Sequence, residues 1–376
     1  MKLSERAAGI QASGTVRFTA LLEELRAKGR DIVDLAVGEP AGAVPEKIIA
    51  ATCDALDRQK TRYSQVAGID GLRRQLASRF AGRTPADVIL TNGSKQALYM
   101  AFQVVCNPGD EVVVPTPCWV SFAQQVRLAG GRPVFVPTDR HQLDCNAIKR
   151  ALTRKTRAVV INSPNNPTGA VYPEKDIAKI VRLVLDRDLY LIADEAYEYF
   201  VYDGIRFASP VDIRAVRDRL ILVRSFSKSF SMTGFRTGYA VAPAAIIKAM
   251  TTFQGHLSGN VCTFAQYGAM AAADLGENYR QRLTQEYTRK RDIAFDMARE
   301  LFDCIRPQGA FYLFPDVRRH LRKGESAADF CTRLLETAGV AVVSGEAFQA
   351  PGHIRISFAA REREIYRGFK RISEVL

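Results

Sequence analysis

Three short polar segments of this chain each follow an apolar, β-branched run. The segments are 165–169, 193–197 and 225–236, and the runs are 158–161, 189–193 and 220–223. Such a run predicts a buried strand, and α/β sheets bind ligands at the carboxyl ends of their strands. We therefore expect an Asn, an Asp with a Tyr, a Lys and an Arg to meet in one cleft.

Lys228 is the candidate for covalent chemistry, because a lysine amine attacks a carbonyl group once it has lost its proton. Burial in the cleft and the positive charge of nearby Arg236 would both lower the pKa of this amine. Taken alone, Ser-x-Ser-Lys is typical of a solvated surface loop. The position of Lys228 after a predicted buried strand, with an arginine further along the same segment, favours the chemical role.

Two further charged residues, Asp194 and Arg355, occupy positions at which the apolar pattern of the sequence predicts burial. Asp194 ends an apolar run, where an unpaired carboxylate is costly, so it requires a cationic partner unless it caps a helix. Arg355 interrupts an alternating strand pattern and requires an anionic partner, either a ligand or a surface ion pair.

This set of residues resembles the pyridoxal-phosphate site of class I (fold type I) aminotransferases of the aspartate/aromatic type, and the resemblance spans about 13–359. It implies that Lys228 forms a Schiff base, the aldimine, with pyridoxal 5'-phosphate and later moves the α-proton of the substrate. It also implies that Asp194 pairs with the pyridine nitrogen. Tyr197 and Asn166 correspond to the family residues that hydrogen-bond the 3-hydroxyl of the cofactor ring.

The cofactor phosphate requires donors, and the segment 92–95 follows a predicted strand and opens a predicted helix. Backbone amides at a helix N-terminus form an anion site. The resemblance adds a phosphate-binding hydroxyl and guanidinium, and an aromatic ring that stacks on the cofactor, although a lone Trp is also a common core residue. The cofactor-binding residues implied in this region are Gly93, Ser94, Lys95, Trp119, Ser225 and Arg236.

Substrate contacts are also implied by the resemblance. Arg355 would bind the α-carboxylate, while Lys95 and the N-terminal segment would meet a distal carboxylate. The alternative is that Lys95 is a solvated lysine and the N-terminal residues only cap the helix that begins near Thr15. The substrate-binding residues so implied are Gly38, Trp119, Asn166, Arg355, Lys95, Ser13 and Thr15.

Tyr63 resembles a tyrosine that reaches the phosphate from the neighbouring subunit. The resemblance therefore implies a homodimer with shared active sites.

The predicted activity is transamination between an L-amino acid, with aspartate or glutamate as the leading choice, and a 2-oxo acid. An aromatic, prephenate or other neutral amino-acid aminotransferase is an alternative, as is a lyase or cyclising enzyme on the same fold. Segments 41–44, 348–353 and 256–262, together with Phe235, depart from the family pattern around the substrate end of the cleft.

A remote alternative is a serine hydrolase with a Ser-x-x-Lys motif. The segments 225–228, 258–260 and 236–238 imitate the three sequence motifs of that class, but they do not occur in the order along the chain that those enzymes have.

The elements that position these residues alternate along the chain. Strands are expected near 88–91, 111–114, 133–136, 158–162, 189–193, 220–224 and 238–242, and helical segments at 15–28, 173–185 and 277–303. This order predicts an α/β fold, with a large domain whose mainly parallel seven-stranded sheet is flanked by helices, and a smaller α/β domain built from both chain ends. The predicted segments are 1–36 and 275–376 for the smaller domain and its long helix, and 37–274 for the larger.

Composition excludes several other classes. The 376 residues are 47% apolar and suit two domains. The net charge of +13 comes from 53 Lys and Arg spread among 40 acidic residues, which indicates attraction of anionic substrates rather than nucleic-acid binding. Seven cysteines without a Cys-x-x-Cys pair, and no apolar stretch of membrane-spanning length, favour a cytoplasmic protein without disulfides, metal or membrane contact.

Overall fold

The structure is a computed structural model that describes residues 16–376. The predicted substrate contacts of Ser13 and Thr15 lie outside the described residues.

The strands, in chain order, are β1 Val33–Asp34, β2 Val88–Asn92, β3 Glu111–Thr116, β4 Arg132–Pro137, β5 Thr156–Asn162, β6 Tyr190–Asp194, β7 Leu220–Ser225, β8 Thr237–Val241, β9 Tyr312–Leu313, β10 Val340–Ala341, β11 Val343–Ser344 and β12 Ile354–Ser357. The α-helices are α1 Val16–Ala27, α2 Glu46–Asp57, α3 Asp70–Ala77, α4 Ser94–Val105, α5 Ser121–Leu128, α6 Cys145–Ala151, α7 Glu174–Asp186, α8 Phe226–Ser229, α9 Ala244–Leu257, α10 Thr263–Ala273, α11 Gly276–Leu301, α12 Ala327–Ala338 and α13 Glu362–Ser373. Short 3₁₀ helices lie at Pro85–Asp87, Pro210–Asp212, Arg214–Val216, Arg318–His320 and Gly345–Phe348.

Seven strands form one sheet in the order β2-β8-β7-β6-β5-β3-β4. All neighbouring pairs are parallel except those of β8, which runs antiparallel to β2 and β7. The seven predicted strands and the mainly parallel α/β fold are therefore confirmed.

The sheet is buried on both faces, as its continuous apolar runs predict. On β5, Val159 and Ile161 pack into one core while Ala158 and Val160 pack into another. Helix α7 illustrates the covering layer, since it begins directly after Pro173 and buries Ile177, Ile180, Val181 and Val184 against the first of these cores. Its apolar residues recur at helical spacing, so one stripe of the helix faces the sheet.

The register of the central strands aligns the three polar segments. On neighbouring strands β5 and β6, Asn162 is paired with Asp194, and Asp194 is in turn paired with Val223 of β7. The carboxyl ends of β5, β6 and β7 consequently lie side by side at one edge of the sheet.

A further core packs residues from both ends of the described chain around helix α11. Here β1 pairs with β10, and β11, β12 and β9 form an antiparallel sheet. Strand β12 carries Arg355, and its Ser357 is paired with Tyr312 of β9. The exact domain boundaries, at 36/37 and 274/275, stay a prediction.

Across residues 16–376, no helix combines the length and the apolar character needed to cross a membrane.

Candidate active site

A cavity of about 410 Å³ opens at the carboxyl edge of β5, β6 and β7. It brings together residues that lie far apart in the sequence. The predicted residues that line it are Gly38, Ser94, Lys95, Trp119, Asn166, Asp194, Tyr197, Ser225, Lys228, Arg236 and Arg355.

Lys228 lies on the short helix α8, directly after β7. Its Nζ atom donates a hydrogen bond to the carbonyl oxygen of Gly38 at 2.8 Å. Burial lowers the pKa of the Lys228 amine to about 8, the negative charge of Glu39 opposes this shift, and the positive charges of Arg236 and Arg355 add to it. An amine with this pKa loses its proton near working pH, which nucleophilic and basic roles both require. The contact with Gly38 also differs from the pairing with Ser225 that a Ser-x-x-Lys hydrolase would need.

Asp194 ends β6 and is only 5% exposed. Its Oδ1 atom accepts a hydrogen bond from the backbone N–H of Ala196 at 3.1 Å, and it forms no salt bridge with residues 20–376, whose side chains the structure describes. Burial raises the pKa of this carboxyl to about 7. A buried carboxylate in this position is stabilised by a cationic ligand group.

Asn162, at the end of β5, is a site residue that sequence reasoning missed. Its Nδ2 atom donates to the carbonyl oxygen of Asp194 at 3.0 Å, and its Oδ1 atom accepts from the N–H of Asn166 at 2.9 Å. Asn162 therefore ties the turn that bears Asn166 to the strand that bears Asp194. Its position at the end of a predicted strand was the available signal.

Two buried tyrosines face each other beside Asn166. The hydroxyl oxygens of Tyr197 and Tyr312 are 2.9 Å apart, and Asn166 Nδ2 donates to Tyr197 Oη at 3.5 Å. Burial raises the pKa of Tyr197 well above its usual value, so its hydroxyl keeps its proton throughout the working range of pH. Sequence reasoning missed Tyr312, because a two-residue strand carries no periodic signal.

Arg355 enters the cavity from β12. Its Nη1 atom donates to Asn166 Oδ1 at 3.0 Å and its Nη2 atom to the carbonyl oxygen of Ala36 at 2.7 Å. The guanidinium carbon lies 4.3 Å from the ring centroid of Tyr312 and 5.1 Å from that of Phe348. Its Nε atom is buried without a hydrogen-bond partner in the described part of the chain, which leaves a donor available to an anion.

The N-terminus of helix α4 has the features of a phosphate site. Gly93 precedes the helix with φ of 75°, and a Cβ atom at this position would lie 2.6 Å from Arg236 Nη2. A Cβ atom at Gly238 would lie 2.5 Å from the backbone N of Ser94. The backbone amides and the guanidinium can approach one anion because side chains are absent at both glycines. Ser225 adds a hydroxyl, which accepts the N–H of Ser227 at 3.1 Å.

Lys95 lies one residue into this helix and also lines the cavity. Its Nζ atom is 5.2 Å from the ring centroid of Trp119, a cation–π contact. Burial, together with the charge of Arg236, lowers the pKa of Lys95. Trp119 is half-buried at the cavity wall, so its ring is available for stacking.

Segments that depart from the family pattern support this wall. The carbonyl oxygen of Phe348 accepts a hydrogen bond from the N–H of Cys118 at 3.1 Å, which anchors the loop 348–353 beside Trp119. Ser258 Oγ accepts from Gln96 Nε2 at 2.7 Å, which connects the segment 256–262 to helix α4.

Two of the predicted site residues in the described part of the chain do not line the cavity: Gly93, which directly precedes Ser94 at the start of helix α4, and Tyr63, which lies on the surface. The Tyr63 side chain is 98% exposed.

The residues fit pyridoxal 5'-phosphate in three respects. The buried carboxylate of Asp194 matches a pyridinium nitrogen, the Lys228 amine matches an aldehyde carbon, and the glycine-lined helix start with Arg236 matches a phosphate.

Comparisons with known proteins agree with this geometry. The family model described as "Aminotransferase class I and II" matches residues 30–372. The chain is 38% identical to the probable aspartate/prephenate aminotransferase of Aquifex aeolicus (strain VF5), over 100% of this chain and 98% of the relative. It is 37% identical to the aspartate aminotransferase of Geobacillus stearothermophilus, over 96% of this chain and 95% of the relative. The solved structure of the Thermus thermophilus aspartate aminotransferase with maleate matches with a TM-score of 0.94 at 38% identity, over 100% of both chains.

Fold, site and sequence similarity lead to the same assignment. The chain belongs to the family of class I and II aminotransferases and is a pyridoxal-phosphate-dependent aminotransferase.

Proposed function

We propose that this aminotransferase exchanges an amino group between a dicarboxylic amino acid, aspartate or glutamate, and a 2-oxo acid. The observation that carries the proposal is that Lys95 and Arg355 line one cavity and form no salt bridge with any carboxylate among residues 16–376. Lys228 and Arg236 line the same cavity but match the aldehyde carbon and the phosphate of the cofactor, so two cations are left for a substrate with two carboxylates. The relatives from A. aeolicus and G. stearothermophilus carry aspartate in their names, and maleate, bound in the T. thermophilus enzyme, is a dicarboxylate.

The proposed cofactor contacts follow from the fit above. Asp194 would hold the ring nitrogen, Asn166 and Tyr197 the 3-oxygen, and Trp119 a ring face, while Lys228 would bind covalently. The proposed phosphate ligands are Gly93, Ser94, Ser225, Arg236 and, from a partner subunit, Tyr63. When bound, pyridoxal phosphate supplies an electron sink that stabilises a carbanion at the substrate α-carbon.

Proton transfer, charge pairing and hydrogen bonding are assigned to residues of the chain itself. Lys228 takes up the proton of the substrate α-carbon on its Nζ atom and later releases it. Its pKa of about 8 lets the amine accept and release protons near working pH. Asp194 stays ionised when a cation neutralises it in the dry interior. Tyr197 donates a hydrogen bond from a hydroxyl that does not ionise in this range.

Arg355 is proposed to bind the α-carboxylate, and Gly38 lines the same cavity with no side chain to obstruct the substrate. Lys95, with Ser13 and Thr15 of the N-terminal segment, is proposed to bind the distal carboxylate. Exclusion of water from the cavity would strengthen both charge-assisted contacts.

A substrate panel tests this proposal. The purified enzyme is assayed with aspartate, glutamate, phenylalanine and tyrosine against 2-oxoglutarate and oxaloacetate, while ammonia and pyruvate release are followed in parallel. Faster turnover of the dicarboxylic amino acids supports the proposal. Preference for neutral amino acids contradicts it, and release of ammonia or pyruvate without amino transfer would identify a lyase. Prephenate is the second candidate, because the A. aeolicus relative is named for it as well as for aspartate.

A homodimer is also proposed. Tyr63 is almost fully exposed, and Phe253 and Leu257 of helix α9 are 42% and 53% exposed, so an apolar surface is available to a second copy of the chain. Cytoplasmic location and the domain boundaries at 36/37 and 274/275 are proposed from the sequence analysis.

A further inference from the structure

A buried tyrosine that no sequence motif indicated links the two groups of residues that line the cavity. Tyr312 lies on β9, is 1% exposed, and is paired with Ser357 on the strand that carries Arg355. Its hydroxyl meets Tyr197, which follows β6 of the large sheet. Tyr312 thus contacts both the proposed carboxylate-binding residue and a proposed cofactor-binding residue.

The orientation of the Asn166 amide follows from its partners. A guanidinium has only N–H donors, so the atom that faces Arg355 Nη1 at 3.0 Å must be the amide oxygen. The amide nitrogen then faces Tyr197, and it can only donate to the Tyr197 oxygen.

A hydroxyl has one proton to donate and can accept two hydrogen bonds. The Tyr197 oxygen already accepts from Asn166, and the function proposed above directs the Tyr197 proton to the 3-oxygen of the cofactor. The remaining contact, at 2.9 Å to Tyr312, is then a hydrogen bond that Tyr312 donates. Donation by Tyr312 polarises the Tyr197 hydroxyl, and this strengthens the hydrogen bond that Tyr197 donates to the cofactor.

The ring of Tyr312 has a separate effect. The Arg355 guanidinium lies 4.3 Å from the Tyr312 ring centroid and 5.1 Å from that of Phe348, so two aromatic rings contact this cation. Aromatic contact holds a guanidinium while its N–H groups stay free for a carboxylate. The space for the Tyr312 hydroxyl exists because position 38 is glycine, where a Cβ atom would lie 2.9 Å from that hydroxyl.

We propose that Tyr312 is a positioning residue with two separable actions: its hydroxyl strengthens the hydrogen bond that Tyr197 donates to the cofactor, and its ring holds Arg355 for the substrate carboxylate. This inference rests on the roles proposed above for Tyr197 and Arg355.

The hydroxyl action is tested by titrating the visible absorption of the cofactor-loaded enzyme with pH. A hydrogen bond to the 3-oxygen stabilises its anionic form, so weakening that bond moves the midpoint of the colour change to higher pH. Tyr312→Phe is expected to raise the midpoint by about 0.2 to 0.5 pH unit, less than the loss of a whole hydrogen bond, because Tyr197 still donates to the 3-oxygen. Tyr197→Phe should raise it further, and Tyr312→Phe should add nothing in the Tyr197→Phe background.

The ring action is tested by KM. Tyr312→Phe keeps the ring and should leave KM for the amino acid nearly unchanged, whereas Tyr312→Leu should raise it roughly threefold to tenfold, the loss expected for a cation–π contact. Tyr287→Phe is the matched control, because it removes a buried hydroxyl of the same core that has no hydrogen-bond partner in the described chain. It should move neither the midpoint nor KM.

The outcomes distinguish a failure of the role proposed for Tyr312 from a failure of the role proposed for Tyr197. If Tyr197→Phe moves the midpoint and Tyr312→Phe does not, the role of Tyr312 is overturned while that of Tyr197 stands. If neither variant moves it, the proposed role of Tyr197 fails as well. Equal KM values for the Phe and Leu variants would overturn the ring action, and a midpoint shift that is undiminished in the Tyr197→Phe background would overturn the hydroxyl action.

Discussion

Lys228 donates a hydrogen bond to the carbonyl oxygen of Gly38 at 2.8 Å, across 190 positions of sequence. A carbonyl oxygen gives the amine a hydrogen-bond partner, but it stabilises the positive charge of the amine less than a carboxylate would. Burial can therefore lower the pKa of Lys228 to about 8 even though Glu39 opposes the shift. A reactive amine is kept in place without being locked in its protonated form.

The first prediction concerns the covalent residue. Borohydride reduction of the yellow enzyme should fix the cofactor to Lys228, as peptide mapping by mass spectrometry would show. Lys228→Ala should bind the cofactor without a covalent bond and lose turnover by several powers of ten, because both the attachment point and the base are removed. Recovery of the label on another lysine would refute the assignment.

The second prediction is that the buried carboxyl of Asp194 lowers the free energy of unfolding of the cofactor-free protein, by an amount that depends on pH. Its pKa in the folded state is about 7, raised by burial from 3.8, so the folded state binds the proton more tightly than the unfolded state. The free energy of unfolding is therefore highest below pH 3.8, the pKa of this carboxyl in the unfolded chain, and it decreases as the pH rises through 7. Asp194→Asn should make the cofactor-free protein more stable than wild type by a few kcal/mol at about pH 8, and by much less at about pH 5.

Urea unfolding at the two pH values measures this effect. The matched control is Asp57→Asn, at the exposed end of helix α2, which should change stability equally at both. A pH-independent effect of Asp194→Asn would contradict the prediction.

The third prediction concerns the distal carboxylate. Lys95→Ala should raise KM for aspartate about tenfold or more, the loss expected for a charge-assisted hydrogen bond, and leave KM for phenylalanine nearly unchanged. Lys47→Ala, an exposed lysine of helix α2, controls for the loss of one surface charge. Equal effects of Lys95→Ala on both substrates would remove the structural argument for a dicarboxylic preference.

The fourth prediction separates backbone strain from a clash in the proposed phosphate site. Gly93 and Gly109 have φ of 75° and 87°, but only at Gly93 would a Cβ atom approach Arg236, at 2.6 Å. Both Gly→Ala variants should lose stability because the backbone has a positive φ, and Gly93→Ala should lose more, on the order of 1 to 3 kcal/mol, because a ψ of 164° places Gly93 in a region that essentially only glycine adopts. Only Gly93→Ala should weaken cofactor binding, measured by fluorescence titration of the cofactor-free protein. Equal affinities for the two variants would argue against a phosphate site here.

The fifth prediction tests shared active sites. Tyr63→Phe and Lys228→Ala subunits, mixed and allowed to exchange, should show more activity than the sum of the two parents, because one site of each hybrid dimer has both residues intact. Exchange is followed by native mass spectrometry. Full wild-type activity in a monomer at high dilution would rule out sharing.

The sequence by itself determined the strands and the chemistry at their ends. The run 189–193 and the Asp194 that follows it were enough to predict a buried carboxylate at the edge of a parallel sheet, because the apolar pattern and the charge are both local features. The same holds for Lys228 after β7 and for the glycine before helix α4.

Only the tertiary structure decided how distant residues meet. Arg355 and Asn166 are 189 positions apart, and Tyr197 and Tyr312 are 115 apart, so no local pattern connects either pair. Strand β9 has two residues, too few for a periodic signal, and Tyr312 reaches Tyr197 because the core around helix α11 packs against the large sheet. Local propensity depends on neighbours in the chain, whereas these contacts depend on the packing of two cores, which no short segment encodes.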